Sequence, residues 1–153
     1  MNFLELKIPP VALVLITALL MWLVSWTLPA VAVAVPARVP IATALAVAGA
    51  VTCALGVAAF RRVNTTVNPT KPESTSSLVS SGVYALTRNP MYLSFLLILL
   101  GWAIFLANVL AFLLLPAFIL YMNRFQIQPE ERTLAARFGQ GFLAYKVQVR
   151  RWI

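Results

Sequence analysis

Residues 89–123 read NPMYLSFLLILLGWAIFLANVLAFLLLPAFILYMN and contain no Lys, Arg, Asp or Glu in 35 positions. A helix that crosses a bilayer needs about 20 apolar residues, so this stretch is too long for one upright span and predicts two short spans joined by a turn. We place the turn near Ala107–Asn108, where the one strongly polar side chain in the middle of the stretch lies. Pro116 falls inside the second of these spans, where we expect a kink.

Two more stretches without charged residues precede this hairpin, residues 8–37 and residues 39–60. The first predicts a span over about Ile8–Leu28 followed by a turn rich in Pro, Ala and Val, and the second predicts another span. The length of the first run and the position of Glu5 favour a retained helix over a cleaved signal peptide. Composition agrees, since 61% of the 153 residues are hydrophobic and only 10% are charged. The chain therefore predicts an all-α integral membrane protein with four transmembrane helices.

The basic residues are distributed unevenly between the two ends of the predicted spans. Lys7, the loop over residues 61–88 and the tail from Arg124 hold 11 of the 12 Lys and Arg residues, and Arg38 alone lies at the other end. The positive-inside rule then places both termini and the loop in the cytoplasm, and we expect a bacterial inner membrane. The net charge of +8 does not indicate nucleic acid, because the basic residues flank apolar runs. Membrane lipids are the expected partners.

Several kinds of chemistry are excluded by composition. The chain has no His and no Asp, and Cys53 is its only cysteine, so His-based triads, an intramolecular disulfide and a metal site are not expected. The four Glu residues are Glu5, Glu73, Glu130 and Glu131. None falls inside a predicted span, which argues against a small multidrug transporter that needs a carboxylate within the membrane.

Polar groups are concentrated in two short clusters beside the membrane. The first is GVYALTRNPMY over residues 82–92, and the second is Glu130-Glu131-Arg132 just after the fourth span. A hairpin of spans three and four brings both clusters to the same end, where they predict a pocket. The tail segment PEERTLAARF over residues 129–138 predicts a helix that begins at Pro129 and folds back on the membrane surface, with Trp152 as an interfacial anchor.

These clusters, with the spacing between them, resemble the integral membrane methyltransferases of the isoprenylcysteine carboxyl methyltransferase and phospholipid methyltransferase group. Their pattern is G-x-Y-x-x-x-R-[HN]-P-x-Y, a hydrophobic hairpin, and then E-E-x-x-L followed by F-G and an aromatic tail. The resemblance covers about residues 80–153. Asn89 stands where isoprenylcysteine-type members have His, as in the phosphatidylethanolamine branch, and Ser94 stands where Gly is usual.

The resemblance implies a single membrane domain over residues 1–153 that uses S-adenosylmethionine. Two N-terminal spans lie in 1–60, a cytoplasmic loop in 61–81, and a catalytic helical hairpin plus tail in 82–153, with an amphipathic C-terminal helix closing the cofactor site. The implied cofactor-binding residues are Tyr84, Asn89, Pro90, Tyr92, Glu130 and Glu131. The implied catalytic residues are Arg88, Arg132 and Glu130.

The acceptor implied by the resemblance is a lipophilic molecule in the membrane. A carboxylate of the isoprenylcysteine type would bind an Arg, whereas a phospholipid-type amine would lose its proton to a Glu or Tyr, and the sequence leaves both open. An NADPH-dependent membrane reductase of the sterol-reductase type and a non-catalytic membrane interaction protein are the alternatives. Oligomeric state is equally open, because Gly49 and Gly56 can pack within the protomer or across a dimer.

Overall fold

A computed structural model describes residues 5–63 and 77–153, and within these ranges the chain is helical apart from turns and one isolated bridge. The helices are α1 (Pro10–Thr27), α2 (Arg38–Arg62), α3 (Pro90–Leu106), α4 (Val109–Tyr121), α5 (Gln128–Phe138) and α6 (Gln140–Gln148). Two 3₁₀ turns occur at Pro29–Val31 and Gly82–Ala85, and a π-helical segment occurs at Met122–Ile127. Most of the loop predicted over residues 61–81 lies outside the described residues.

Three helices are long and apolar enough to cross a membrane: α1, α2 and the continuous helix Val109–Phe138. Helix α3 is also apolar but has only 17 residues. Large apolar side chains point outward, and Leu15, Leu113 and Leu120 are each at least 60% exposed. Such a surface suits lipid rather than water. The prediction of an all-α membrane protein is thus confirmed, and three to four of the described helices are apolar enough to span a membrane where the sequence predicted four.

The turn between α3 and α4 lies where the sequence predicted it. Helix α3 ends at Leu106, and Ala107 takes a left-handed conformation with φ 51°. Asn108 then accepts a hydrogen bond from the Leu110 N–H at 3.0 Å and donates its own amide to the Leu28 carbonyl at 3.0 Å. Asn108 therefore both caps α4 and ties the hairpin to the end of α1.

Helices α2 and α3 pack closely because glycines remove side chains from their contact. A Cβ atom on Gly49 would lie 2.8 Å from the Ser94 carbonyl oxygen, and one on Gly101 would lie 2.9 Å from the Ala42 carbonyl oxygen. Both distances are shorter than van der Waals contact. Small residues of this kind let membrane helices approach at backbone distance. Gly49 therefore packs inside the protomer.

The sequence predicted that the fourth span ends before the tail, but in the structure it does not. It continues through the π segment into α5, so Pro129 lies inside a continuous helix of 30 residues rather than at the start of a separate one. Proline has no N–H for the carbonyl four residues earlier, and its ring crowds that carbonyl. Here the freed Phe125 carbonyl accepts from the Leu6 N–H at 3.0 Å. The π segment together with this outside partner lets the helix pass the proline.

The chain turns only after α5, at Gly139, and α6 then packs back against α5. Phe142, Tyr145 and Val149 form a buried cluster on this helix and its end, and Leu134 and Phe138 of α5 pack against it. Beyond α6 the chain returns to the π segment, where the Trp152 indole N–H donates to the Asn123 side chain at 3.1 Å. The tail thus contains a helix over Gln128–Phe138 that continues the fourth span, and the role of Trp152 as an interfacial anchor stays a prediction.

Candidate functional site

The first element of the site is a contact between α3 and α5. The Tyr92 hydroxyl donates to Glu130 Oε2 at 2.9 Å. Tyr92 is buried and Glu130 is partly buried. Within residues 5–63 and 77–153, no Lys or Arg forms an ion pair with Glu130. Among the described residues, Glu130 therefore has a hydroxyl partner and no cationic partner.

Tyr84 lies beside this contact, in the 3₁₀ turn that precedes α3. Its ring is buried and packs edge-on against Phe60 of α2, with ring centres 5.3 Å apart. Burial and, next, the negative charge of Glu130 raise the pKa of Tyr84 well above its ordinary value. The hydroxyl thus stays protonated and can donate a hydrogen bond at any physiological pH.

Glu131, the neighbour of Glu130 on α5, has the opposite surroundings. Its carboxylate accepts a forked pair of bonds from Arg151, Nε to Oε1 at 3.1 Å and Nη2 to Oε2 at 2.7 Å. Arg88 Nη2 lies 3.1 Å from Oε1, and Lys146 Nζ lies 3.8 Å from Oε2. Adjacent residues on a helix point about 100° apart, which separates the two carboxylates into different environments.

The start of α3 is fastened to the end of the chain. The Asn89 side-chain amide donates to the Arg151 carbonyl at 2.9 Å, and Thr87 Oγ1 donates to the same carbonyl at 3.3 Å. Asn89 stands at the N-cap position of α3 without capping it, and Pro90 is the first, buried, residue of that helix. Asn89 and Glu131 are thus brought together, because each binds a different part of Arg151.

Arg88 is buried between these groups, with its side chain 9% exposed. Its Nη1 donates to the Lys146 carbonyl at 2.9 Å, and its Nη2 pairs with Glu131. Its Nε is buried and finds no acceptor in the part of the chain that the structure describes. A buried donor without an acceptor is costly, so this nitrogen is a place where a ligand oxygen would be stabilised.

Arg132, the remaining predicted site residue, points away from the others. Its Nη2 donates to Glu5 Oε2 at 2.7 Å, and Arg124 Nη1 lies 3.7 Å from Glu5 Oε1. The Glu5 side chain is 3% exposed, whereas that of Arg132 is 55% exposed. In this structure Arg132 therefore binds the N-terminal segment, and Tyr84, Arg88, Asn89, Pro90, Tyr92, Glu130 and Glu131 form the cluster without it.

Glu5, Lys146 and Arg151 are partners of the predicted site residues that the sequence did not predict. The composition contains one weak signal, because two adjacent buried acids in a chain of net charge +8 are expected to pair with basic residues. The composition does not specify which of the twelve Lys and Arg residues pair with them.

An apolar groove opens on the lipid-facing side between α1, α2 and α3. Its volume is about 380 Å³, and Thr43 is the one polar residue in its lining. Leu99, which also lines it, lies seven residues from Tyr92 and so on the same face of α3, about 10 Å along the helix. The groove is thus shaped for hydrocarbon and begins about two helical turns along α3 from Tyr92.

Comparison with known proteins adds two findings. The family model described as phospholipid methyltransferase matches residues 37–141, well over half of the chain. An uncharacterized protein of Haemophilus influenzae is similar to this chain, with 52% identity over 63 residues that cover 41% of this chain and 100% of the Haemophilus protein.

Proposed function

Because the chain belongs to the phospholipid methyltransferase family, we propose that it transfers a methyl group from S-adenosylmethionine to a lipid in the membrane. The observation that carries this proposal is the hydrogen bond between Tyr92 and Glu130, which places a carboxylate without a cationic partner among the described residues beside two tyrosines. The contacts of Glu130 and the contacts of Glu131 then have different roles.

The residues present fit the cofactor's functional groups. S-adenosylmethionine offers cationic and hydroxyl groups, which suit the Glu130 carboxylate, and a carboxylate, which suits the buried Arg88 Nε that has no acceptor among the described residues. The Tyr84 and Tyr92 hydroxyls supply further hydrogen bonds. We assign direct cofactor contact to this group. Glu131, Asn89 and Pro90 contribute by fixing the start of α3 and the position of α5.

When bound, S-adenosylmethionine supplies an electrophilic methyl group, so the chain needs to align reactants and exclude water more than it needs strong acids or bases. Tyr92 orients Glu130 and keeps it beside Tyr84. If the acceptor is an amine, Glu130 is the carboxylate that can hold the proton the amine gives up. If it is a carboxylate, Arg88 is the arginine of the cluster that could bind it.

We propose a lipid as the acceptor because the groove between α1, α2 and α3 is apolar. A lipid whose head lies at Tyr92 would place its chain along Leu99 and Trp102, which line that groove. The surrounding surface is apolar, so the acceptor would enter sideways from the bilayer. If Lys7 and the basic tail lie on the cytoplasmic side of a bacterial inner membrane, both termini face the cytoplasm. The cofactor would then enter the site from the cytoplasm.

The test is a calorimetric titration of the purified protein in mild detergent with S-adenosylmethionine, alongside Glu130→Gln. That substitution keeps an acceptor for the Tyr92 hydroxyl and removes only the charge. We expect the parent to bind and the variant to lose about tenfold or more in affinity, which corresponds to about 1.4 kcal/mol. Methyl transfer is then assayed with radiolabelled cofactor and phospholipid vesicles. A parent that binds NADPH but not S-adenosylmethionine would support the reductase alternative instead.

A further inference from the structure

We propose that Arg151 is a positioning residue that holds Glu130 opposite Tyr92 without touching either. It belongs to the segment after α6, Val149–Ile153, which we call the C-terminal strap. The inference rests on the proposed function, because it concerns the same site.

The guanidinium of Arg151 fixes the direction as well as the position of the Glu131 side chain. It binds both carboxylate oxygens, at 3.1 and 2.7 Å, and Glu131 is buried. Arg88 and Lys146 each approach a single oxygen. A planar fork on a carboxylate adds geometric constraint that point contacts lack. Arg151 is therefore the partner that orients Glu131.

The backbone of the same strap holds the start of α3. The Arg151 carbonyl accepts from the Asn89 amide at 2.9 Å, and the Arg150 carbonyl accepts from the Arg88 N–H at 3.0 Å. The backbone of the strap thus binds the two residues just before α3, and its side chain binds α5 through Glu131. The Tyr92–Glu130 hydrogen bond depends on the distance between α3 and α5.

Helix α5 needs an outside contact to fix its position because a π-helical segment precedes it. It follows the π segment Met122–Ile127, where the regular α-helical hydrogen-bond ladder is interrupted. Glu130 and Glu131 are neighbours on one rigid turn, so a rotation or shift of α5 that moves Glu131 also moves Glu130. Arg151 acts on the Tyr92–Glu130 contact through this turn.

The chain provides a matched control in Arg150, which has the same side chain, precedes Arg151 directly and is exposed. We compare Arg151→Ala with Arg150→Ala by hydrogen exchange of the α5 amides in the protein without cofactor, and by calorimetric titration with S-adenosylmethionine. Arg151→Ala is expected to exchange faster across α5 and to bind the cofactor about tenfold more weakly. Arg150→Ala is expected to match the parent in both.

Two results would overturn the proposal: unchanged α5 exchange and affinity in Arg151→Ala, or tighter binding, which would mean that Arg151 competes with the ligand. If Arg151→Ala does not fold, Arg151→Lys replaces it, since it keeps the charge and loses the fork, and the same increase in α5 exchange is expected. Failure of the parent to bind S-adenosylmethionine would overturn the proposed function, whereas the exchange comparison would still decide the role of Arg151.

Discussion

The Tyr92 hydroxyl and Glu130 Oε2 lie 2.9 Å apart although 38 residues separate them in the chain. The bond joins the first turn of α3 to the first turn of α5, across the whole hairpin of the third and fourth spans. It also puts a hydroxyl donor on a carboxylate that has no cationic partner among the described residues. A single hydrogen bond therefore has both a structural and a functional consequence that substitutions can separate.

Replacing Tyr92 with Phe should destabilise the protein and weaken cofactor binding together. Loss of a hydrogen bond to a charged group costs about 1.5–3 kcal/mol, and Glu130 would lose its orientation as well. Tyr121→Phe is the matched control, because the Tyr121 hydroxyl is buried and has no hydrogen-bond partner in the described part of the chain. Its removal should leave thermal stability in detergent equal or slightly higher. Equal melting temperatures for Tyr92→Phe and the parent would contradict the expectation.

Arg132 should matter for stability rather than for methyl transfer. It pairs with the buried Glu5 at 2.7 Å, so Arg132→Gln removes the shorter of the two arginine contacts of this buried carboxylate, the other being Arg124 at 3.7 Å. Glu5→Gln removes the same pair from the other side. Because the two residues act as a unit, we expect the double variant to be no less stable than the worse single variant.

The measurement is a double-variant cycle of melting temperatures, with transfer rates taken well below the melting temperature of each protein. A direct catalytic role for Arg132 predicts a different pattern. In that case Arg132→Gln would abolish transfer while remaining as stable as the parent, and Glu5→Gln would retain full transfer.

Helix α3 should not tolerate a side chain at Gly101. A Cβ there would meet the Ala42 carbonyl oxygen at 2.9 Å, and backbone atoms cannot move aside cheaply. Gly101→Val should therefore cost about 1–3 kcal/mol or prevent folding. Gly141 in α6 is the control, since nothing lies within 4 Å of its Cβ position, and Gly141→Ala should be neutral or stabilising by up to about 1 kcal/mol. Thermal unfolding of both variants decides the matter.

The hydrogen bond from Tyr145 to the Tyr84 carbonyl should give stability that disappears at high pH. It is 2.7 Å long, and burial raises the pKa of Tyr145 from 10.0 to about 12, although the nearby Arg88 acts in the opposite direction. Since the folded protein keeps this proton longer than the unfolded chain, the contribution is complete below about pH 10 and is lost as pH rises through about 12.

The measurement is the difference in melting temperature between the parent and Tyr145→Phe, taken from about pH 8 to pH 12. The parent should be the more stable at the lower end by about 1 kcal/mol, and its advantage should shrink above pH 10. A difference that is constant across this range would show that the hydroxyl does not titrate in the folded state as expected.

The parts of the fold that follow from hydropathy were predictable from the sequence. Burial in lipid requires long apolar helices, so α1, α2 and the hairpin turn at Ala107–Asn108 follow from the positions of charged and polar residues. The co-location of Tyr92 and Glu130 followed from the hairpin, because both flank its ends on the same side.

The pairing of charges and the path of the tail were not predictable in the same way. Glu5 and Arg132 are 127 residues apart, and nothing in their neighbours specifies a partner. Pro129 normally marks the beginning of a helix, and the π segment together with the contact from Leu6 to the Phe125 carbonyl explains how the helix continues past it. Such features depend on tertiary contacts, which hydropathy and spacing do not encode.

The contacts of the N-terminal segment have a consequence for synthesis. Glu5 and Ile8 precede their partners Arg132 and Gln126 by more than a hundred residues, so they are synthesised well before them. The segment before helix α1 therefore lacks these two partners until the fourth span has been inserted. The carboxylate cluster closes later still, once Arg151 has been made. We expect newly made chains to become resistant to protease at the N-terminal segment only after Gln126 and Arg132 have been synthesised.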